Sequence, residues 1–253
     1  MRKAIAVLVL AVSLLLTPSV YAQTRAQFVQ KVYNSVALLY GQTEDGGMKM
    51  KCTATAYRKL DKGGYRFASA SHCVDGDSDT KQKQGKYFVT FDDEGAKTFI
   101  PATLVEAGDR NVGDDFSIFE VKTDLAVSVT PIGDSDKIVT GDEVINVSSP
   151  LGLGKQYFQG YVSNALLDRP PLDAEEVQWT NIMMVYIGGG PGSSGSAVVS
   201  EKQQAIIGFV VGHFNSGNIG MICVPASKFL AFEKAVDNHT YKKTPVEKKD
   251  DIL

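Results

Sequence analysis

Histidine and cysteine are both scarce in this 253-residue chain, which contains three of each. His239 falls in a charged C-terminal stretch, so a histidine that takes part in chemistry has to be His72 or His213. A closed zinc site needs four such ligands close together. Because the cysteines and histidines are scattered along the chain, the composition argues against such a site, and we expect neither a metal nor a cofactor.

Long apolar runs are scarce too, and the single clear one covers residues 4–16. It follows two basic residues and precedes a small-residue cleavage site at Ala22, which is typical of a secretory signal peptide. The run is too short to span a bilayer comfortably, although an uncleaved N-terminal anchor is the alternative. We therefore predict a signal peptide at 1–22 and a secreted or periplasmic mature protein without a membrane span.

An excess of positive charge is missing as well, since 26 Lys and Arg residues face 29 Asp and Glu residues, for a net charge of −3. Nucleic-acid binding depends on a basic surface, so no nucleic-acid partner is expected. A composition that is 43% hydrophobic and 22% charged is that of an ordinary globular protein. The length suits one large all-β domain or two small lobes that share a cleft, and nothing in it indicates an oligomeric state.

Short β-strands dominate the middle of the chain. The candidate segments are rich in β-branched or aromatic residues and are separated by Gly, Asp and Asn turns. They are residues 36–40, 53–57, 65–71, 87–91, 102–106, 116–121, 143–148, 157–166, 177–185, 196–199, 205–211 and 219–224. Helices do not alternate with these strands, so the pattern favours a sandwich or barrel. Two helices are predicted at the edges, at 25–34 and about 226–237.

The three cysteines predict one disulfide and one free thiol in a secreted protein. Cys52 and Cys73 lie in segments predicted to be strands, or strand ends, of one lobe, and we predict that they are bonded. Cys223 lies in an apolar run, where a free cysteine is a small buried hydrophobic side chain. The alternative role of Cys223 as a nucleophile has little support, because neither a nearby histidine nor a glycine-rich bend accompanies it.

A glycine-rich stretch at residues 188–197 immediately precedes an apolar strand. Glycine adopts positive φ and lets backbone N–H groups approach a ligand closely. An oxyanion hole requires such donors where negative charge develops on an attacked carbonyl. Ser194, between Gly192 and Gly195, is the natural nucleophile. A flexible Gly/Ser turn without chemistry is the alternative for this stretch taken alone.

Two further residues complete a candidate catalytic set. His72 ends a predicted strand and precedes Cys73, so the predicted disulfide would fix the backbone beside a general base. Asp114 and Asp115 precede an apolar strand, where a buried carboxylate needs a hydrogen-bonded partner such as an imidazole N–H. Asp115 adjoins the strand and is preferred to Asp114, although a solvated turn is the alternative for both.

The order His, Asp, Ser is that of double-barrel serine proteases. At these residues the chain resembles the chymotrypsin-like (trypsin-like) serine peptidase family, and within it the secreted bacterial Deg-type, or high-temperature-requirement, proteases. Residues 68–74 look like the family's Ala-Ala-His-Cys block, 115–118 are similar to its Asp-Leu-Ala-Val strand, and 192–196 match its nucleophile loop. Residues 132–135, 141–142, 150–154, 160–163 and 220–225 are similar to the Deg-type second barrel.

This resemblance implies an all-β fold of two six-stranded antiparallel β-barrels with an N-terminal and a C-terminal helix. The protease domain would cover residues 23–238, with its barrels at about 30–125 and about 130–225. A charged, apolar-poor tail at 239–253 is expected to be disordered. The Deg-type peptide-binding PDZ domains are not expected, because the chain ends shortly after the second barrel.

The resemblance also implies a secreted serine endopeptidase that acts on peptide or protein substrates. His72 would be the general base, Asp115 its orienting acid and Ser194 the nucleophile, with the N–H groups of Gly192 and Ser194 as the oxyanion hole. The same barrel used as a catalytically silent peptide-binding module is the alternative, and hydrolysis of an ester is a third reading.

The family comparison places Gly188 at the base of the primary specificity pocket, where an aspartate would select Lys or Arg. Val210 stands where relatives that cut after Glu have a histidine, and His213 is expected near the pocket mouth or on a surface loop. These residues predict cleavage after a small or medium uncharged side chain. Ser193 replaces the aspartate that receives a newly cut N-terminus in animal trypsins, so activation by N-terminal cleavage is not expected.

Overall fold

The computed structural model describes residues 24–74, 82–93, 97–169, 179–213 and 220–243. Among these residues, twelve strands form two closed six-stranded barrels in which every strand pair is antiparallel. The predicted all-β double barrel is confirmed. The predicted signal peptide at 1–22 and the part of the predicted tail from residue 244 onward lie outside the described residues.

The first barrel closes in the order β1-β2-β3-β6-β5-β4. Its strands are β1 Val36–Thr43, β2 Met48–Lys59, β3 Tyr65–Ser69, β4 Gln82–Thr90, β5 Ile100–Ala107 and β6 Ser117–Val121. β-branched and aromatic side chains alternate along these strands and fill the barrel interior. Phe67 on β3 pairs with Phe119 on β6, and both side chains are fully buried.

The second barrel closes in the order β10-β11-β12-β9-β8-β7. Its strands are β7 Glu143–Ser148, β8 Gln156–Arg169, β9 Trp179–Tyr186, β10 Ala197–Ser200, β11 Ala205–His213 and β12 Met221–Pro225. Cys223 lies in the core of this barrel as the free, buried cysteine that the sequence predicts. Burial raises the pKa of its thiol, which makes Cys223 a poor nucleophile.

Two helices flank the barrels, α1 at residues 24–33 and α2 at Ala226–Asp237, within one residue of the predicted limits. Phe229 on α2 packs against rings from both barrels. Its centroid lies 5.4 Å from that of Phe116 in the first barrel and 4.9 Å from that of Phe209 in the second. The C-terminal helix therefore holds the two barrels together through one aromatic cluster. Within the described part of the chain, neither helix has the length and hydropathy needed to cross a membrane.

Polar contacts tie α2 to the first barrel. Glu233 Oε1 accepts a 2.6 Å hydrogen bond from the Tyr57 hydroxyl and lies 2.8 Å from Arg58 Nη2. Beyond the helix, the Tyr241 ring packs edge-on against Phe232 at 4.8 Å, and its hydroxyl accepts a hydrogen bond from a backbone N–H of the first barrel. The packed chain thus extends to Tyr241, past the predicted domain end at 238.

Candidate functional site

A disulfide fixes the turn that carries His72. Cys52 on β2 is bonded to Cys73, as predicted, with the two Cα atoms 6.1 Å apart. His72 lies in a short 3-10 turn, Ser71–Cys73, that follows β3. The turn is therefore fixed to β2 on one side and continuous with β3 on the other, so its backbone has little freedom.

Asp115 lies two residues before the start of β6, and its side chain is fully buried. Its Oδ2 lies 2.7 Å from His72 Nδ1. Its Oδ1 accepts hydrogen bonds from the Ser71 hydroxyl at 2.8 Å and from the His72 backbone N–H at 3.0 Å. Both carboxylate oxygens are thus engaged, and the imidazole is oriented by one of its two nitrogens. The His72 side chain is 25% exposed, so part of its ring is accessible to solvent.

The two neighbouring aspartates differ in charge environment. Burial acts to raise the pKa of Asp115, but the hydrogen bonds and the opposing charge of His72 outweigh it, and the net pKa is lowered. Asp115 therefore stays ionised beside His72. Burial raises the pKa of Asp114. The nearby charge of Lys228 acts to lower that pKa, and the charge of Asp109 acts to raise it. The structure brings Asp115 to the imidazole, as the sequence favours.

The loop predicted to carry the nucleophile, here called the nucleophile loop, covers residues 188–196 between β9 and β10 and depends on glycine at two positions. Gly192 has φ +97° and Gly195 has φ +79°, both in the left-handed region. A Cβ on Gly195 would lie 2.5 Å from the Thr53 carbonyl oxygen, and the Gly195 N–H donates to the Val210 carbonyl at 2.7 Å. Ser194 is therefore held between two backbone positions that other residues do not fit.

Thr53 on β2 connects this loop to the first barrel. Its N–H donates to the Ser194 carbonyl at 3.0 Å, and its Oγ1 donates to the Gly192 carbonyl at 2.8 Å. Its sequence neighbour Cys52 anchors the His72 turn, so one strand positions both halves of the candidate site. Thr53 was not predicted from the sequence, because its partners are remote in the chain and a lone threonine in a strand gives no signal.

Donors around Ser194 are left open. Among the described residues, no hydrogen bond joins the Ser194 hydroxyl to His72. Within the same part of the chain, the backbone N–H groups of Gly192 and Ser194 donate no hydrogen bond to another protein atom. One N–H group belongs to Ser194 itself, and the other lies two residues before it at Gly192. An arrangement of this kind can bind an oxygen that acquires negative charge while the hydroxyl attacks the adjacent carbon.

The predicted pocket residues lie in three different environments. Gly188 is exposed, and a Cβ there would lie 2.5 Å from the Phe158 ring. Val210 is 1% exposed within the core of the second barrel. His213 is exposed at the end of β11, where it pairs with Met221. A Cβ on the next residue, Gly189, would overlap the Met221 side chain.

Phe158 and Met221 thus lie directly against the glycine run. Neither residue was predicted from the sequence, although three consecutive glycines at 188–190 indicate that other side chains approach the backbone closely.

Within the described residues, one group with metal-ligand spacing was found at Cys52, His72 and Cys73. The two sulfurs are bonded to each other in the disulfide, so they are not available as thiolates. The group is therefore a disulfide beside a histidine.

Comparison with known proteins gives concordant results. A family model described as "Trypsin-like peptidase domain" matches residues 54–209. The Serine protease Do-like HtrB of Bacillus subtilis (strain 168) is 28% identical over 97 residues, which is 36% of this chain and 20% of that protein. The chain thus matches only a fifth of the length of this relative.

Solved structures share the fold. The HtrA-type protease AlgW with a decapeptide superposes with a TM-score of 0.66 at 18% identity, covering 85% of this chain and 68% of AlgW. AlgW with a tripeptide gives 0.63 at 22% identity, with coverages of 85% and 64%. Rv3671c from M. tuberculosis H37Rv, solved as an inactive mutant, gives 0.62 at 15% identity, with coverages of 85% and 92%.

The expected resemblance to Deg-type, or high-temperature-requirement, proteases is thereby confirmed for the fold and for part of the sequence. The family model covers more than half of the chain, and its span contains His72, Asp115 and Ser194. The two barrels, the disulfide-anchored histidine and the glycine-rich serine loop agree with that match. The chain belongs to the family of trypsin-like peptidase domains.

Proposed function

We propose that this protein is a secreted serine endopeptidase in which Ser194, His72 and Asp115 cleave peptide bonds. The observation that carries the proposal is the 2.7 Å contact between His72 Nδ1 and the buried Asp115, in a turn fixed by the disulfide. A buried carboxylate on one imidazole nitrogen holds the tautomer whose other nitrogen accepts a proton. Family membership supports the same chemistry.

The mechanism follows from these positions. His72 Nε2 takes the proton of the Ser194 hydroxyl as Oγ attacks the peptide carbonyl carbon. The tetrahedral oxyanion accepts hydrogen bonds from the N–H groups of Gly192 and Ser194, each worth about 3 kcal/mol in such sites. The C–N bond then breaks, and the amine leaves with the proton from His72. Water attacks the acyl-enzyme by the same route and releases the acid.

The pocket supports a small or medium uncharged side chain on the residue before the cleaved bond. Gly188 carries no charge, and the side chains that lie against the glycine run, Phe158 and Met221, are apolar. Val210 is also uncharged, but its side chain is buried in the core of the second barrel. Phe158 and Met221 occupy space that a long substrate side chain would need. The solved AlgW structures contain a decapeptide and a tripeptide, which agrees with an extended peptide as the substrate class.

Removal of a signal peptide and the bounds of the mature domain are part of the same proposal. A signal peptide at 1–22 would direct the chain out of the cytoplasm, and the disulfide agrees with an oxidising compartment. The mature protease domain would then run from about residue 23 through α2 and include the packed residues up to Tyr241.

A fluorophosphonate label and a casein assay test the proposal on the mature chain. Wild type should react with the label and hydrolyse casein. Ser194→Ala should do neither, because the nucleophilic oxygen is missing. Ser193→Ala is the matched control from the same loop and should still react. Equal labelling of wild type and Ser194→Ala contradicts the assignment, while peptide binding without turnover in wild type favours the silent binding module.

A further inference from the structure

Leu151, in the loop after β7, has an unusual backbone. It has φ +55° and ψ +16°, a left-handed conformation that costs non-glycine residues free energy. Its side chain is 71% exposed, so packing does not repay that cost. Non-glycine residues in this region tend to be found at functional sites, where the surrounding structure enforces the strain. A contact of the Leu151 backbone, rather than of its side chain, therefore has to stabilise this conformation.

The Leu151 N–H donates a 2.6 Å hydrogen bond to the Pro191 carbonyl, in the nucleophile loop. No peptide bond in the described residues is cis, so the Pro191 C=O and the Gly192 N–H point in opposite directions from one peptide plane. When Leu151 holds the carbonyl, the Gly192 N–H is directed away from Leu151. If this plane were inverted, an oxygen would replace the proposed oxyanion donor.

The contact between the two loops is close along the backbone. A Cβ on Gly192 would lie 2.5 Å from the Ser149 carbonyl oxygen and 3.4 Å from the Leu151 nitrogen. Ser149 is itself fixed, because its N–H donates to Thr53 Oγ1 at 3.0 Å. The segment at residues 149–155, here called the support loop, therefore abuts the nucleophile loop with its first part held by β2.

An anchor cluster, made of Tyr33, Asp93 and Lys155, holds the other end of the support loop. Asp93 Oδ1 accepts from the Lys155 backbone N–H at 2.9 Å, and Asp93 Oδ2 accepts from the Tyr33 hydroxyl at 2.7 Å. The Lys155 side chain is only 6% exposed, with its ammonium 3.8 Å from Asp93 and 4.6 Å from the centroid of the Tyr33 ring. Tyr33 is the last residue of α1, so the cluster joins that helix and the first barrel to the support loop.

We propose that Leu151 is a positioning residue for the oxyanion hole. Held from one side by Thr53 and from the other by the anchor cluster, its N–H fixes the Pro191–Gly192 peptide so that the Gly192 N–H faces the substrate carbonyl. This inference rests on the proposed peptidase function. It adds a route by which α1, far from Ser194 in sequence, sets the geometry of the catalytic loop.

Leu151→Pro and Leu151→Gly separate this role from general stability. Proline lacks the N–H and is restricted to negative φ, whereas glycine keeps the N–H and adopts the observed φ readily. Gln204 provides the matched control. It is also non-glycine, exposed and left-handed at φ +51°, but it lies in the turn at the far end of β10 from the nucleophile loop. Gln204→Pro imposes a similar backbone conflict without touching the oxyanion hole.

Loss of one oxyanion donor lowers kcat by about 100-fold or more, and this is expected for Leu151→Pro. Leu151→Gly and Gln204→Pro should stay within about 3-fold of wild type, since both keep the donor. A peptide aldehyde, which adds to the serine and forms an oxyanion, should bind Leu151→Pro about 100-fold more weakly. The same peptide capped as a C-terminal amide, which carries no anionic oxygen, should bind almost unchanged. A purely structural role would weaken both ligands equally.

Tyr33→Phe tests the anchor cluster. If Leu151→Pro does not fold, this variant still tests whether the support loop positions the Gly192 N–H. It removes one hydroxyl, and we expect kcat to fall about 3- to 10-fold with KM unchanged, because the donor is misplaced rather than lost. An unchanged kcat in Tyr33→Phe, or equal kcat values in Leu151→Pro and Leu151→Gly, overturns the inference. Absence of peptide hydrolysis in wild type would instead contradict the proposed function.

Discussion

The two barrels hold their parts of the candidate site by different means. The first barrel uses side chains, since Asp115 accepts three hydrogen bonds and a disulfide fixes the turn that carries His72. The second barrel uses the backbone, since left-handed glycines and main-chain carbonyls shape the loop around Ser194. In the first barrel, a substitution therefore disturbs the site by removing a specific side-chain group. In the second barrel, a substitution disturbs the site when the new residue cannot adopt the required φ or does not fit the space around it.

The two systems meet on β2. Thr53 binds the carbonyls of Ser194 and Gly192, and the adjacent Cys52 holds the His72 turn. The two halves of the candidate site are thus aligned by one strand of the first barrel. We expect substitutions in the first-barrel part of the site to lower kcat, and substitutions in the second-barrel loop to lower the free energy of unfolding.

The largest effect is expected for Asp115→Asn. An amide in this position no longer stabilises the imidazolium and favours the wrong tautomer, so kcat should fall about 10⁴-fold while the fold is retained. Asp114→Asn is the matched control and should stay close to wild type, because Asp115 is the carboxylate that contacts His72. Steady-state kinetics on one peptide substrate measure both. Similar losses in the two variants would contradict the assignment of Asp115.

A smaller effect, on stability, is expected for Gly195→Ala in the second barrel. A Cβ there adds backbone strain at φ +79° to a clash with Thr53, and should destabilise the fold by about 3 kcal/mol. Gly141→Ala places the same methyl at φ +96° with no atom within 4 Å, so it should cost only about 1 kcal/mol. Urea denaturation compares the two, and equal losses would show that the space around Gly195 is not limiting.

The smallest effect concerns pH and the first barrel alone. The pKa of Asp115 is lowered in the folded state, so its stabilisation is complete above the unfolded value of about 4 and is lost as pH falls through the folded pKa. The difference in unfolding free energy between wild type and Asp115→Asn should therefore shrink on acidification from pH 5 to pH 3. Urea titrations at several pH values measure it. A difference that grows on acidification would mean that burial dominates the pKa of Asp115.

The strand pattern of the fold was accessible from sequence because short apolar segments alternate with turn residues. The main error is at a strand end where the flanking residues are polar. β4 begins at Gln82, five residues ahead of the predicted start at 87. Such edges pair through the backbone and do not need apolar side chains, so hydrophobic periodicity does not detect them.

The site was accessible where one short block carries the chemistry, as around His72, Asp115 and Ser194. It was not accessible where the contact joins distant segments. Thr53 and Gly192 are 139 residues apart, and Asp93 and Lys155 are 62 apart. These hydrogen bonds exist only once the barrels are packed, and no local pattern predicts the left-handed Leu151.

The aromatic contact of α2 has a consequence for when the enzyme is assembled. Phe229 touches Phe116, the residue after Asp115, and Phe209, the residue before Val210, whose carbonyl holds Gly195. Ribosomes make a chain from its N-terminus, so both barrels are synthesised before the helix that joins them. A nascent chain without α2 lacks the ring that links the neighbours of Asp115 to those of Ser194. We expect cleavage activity to arise only after the helix has docked.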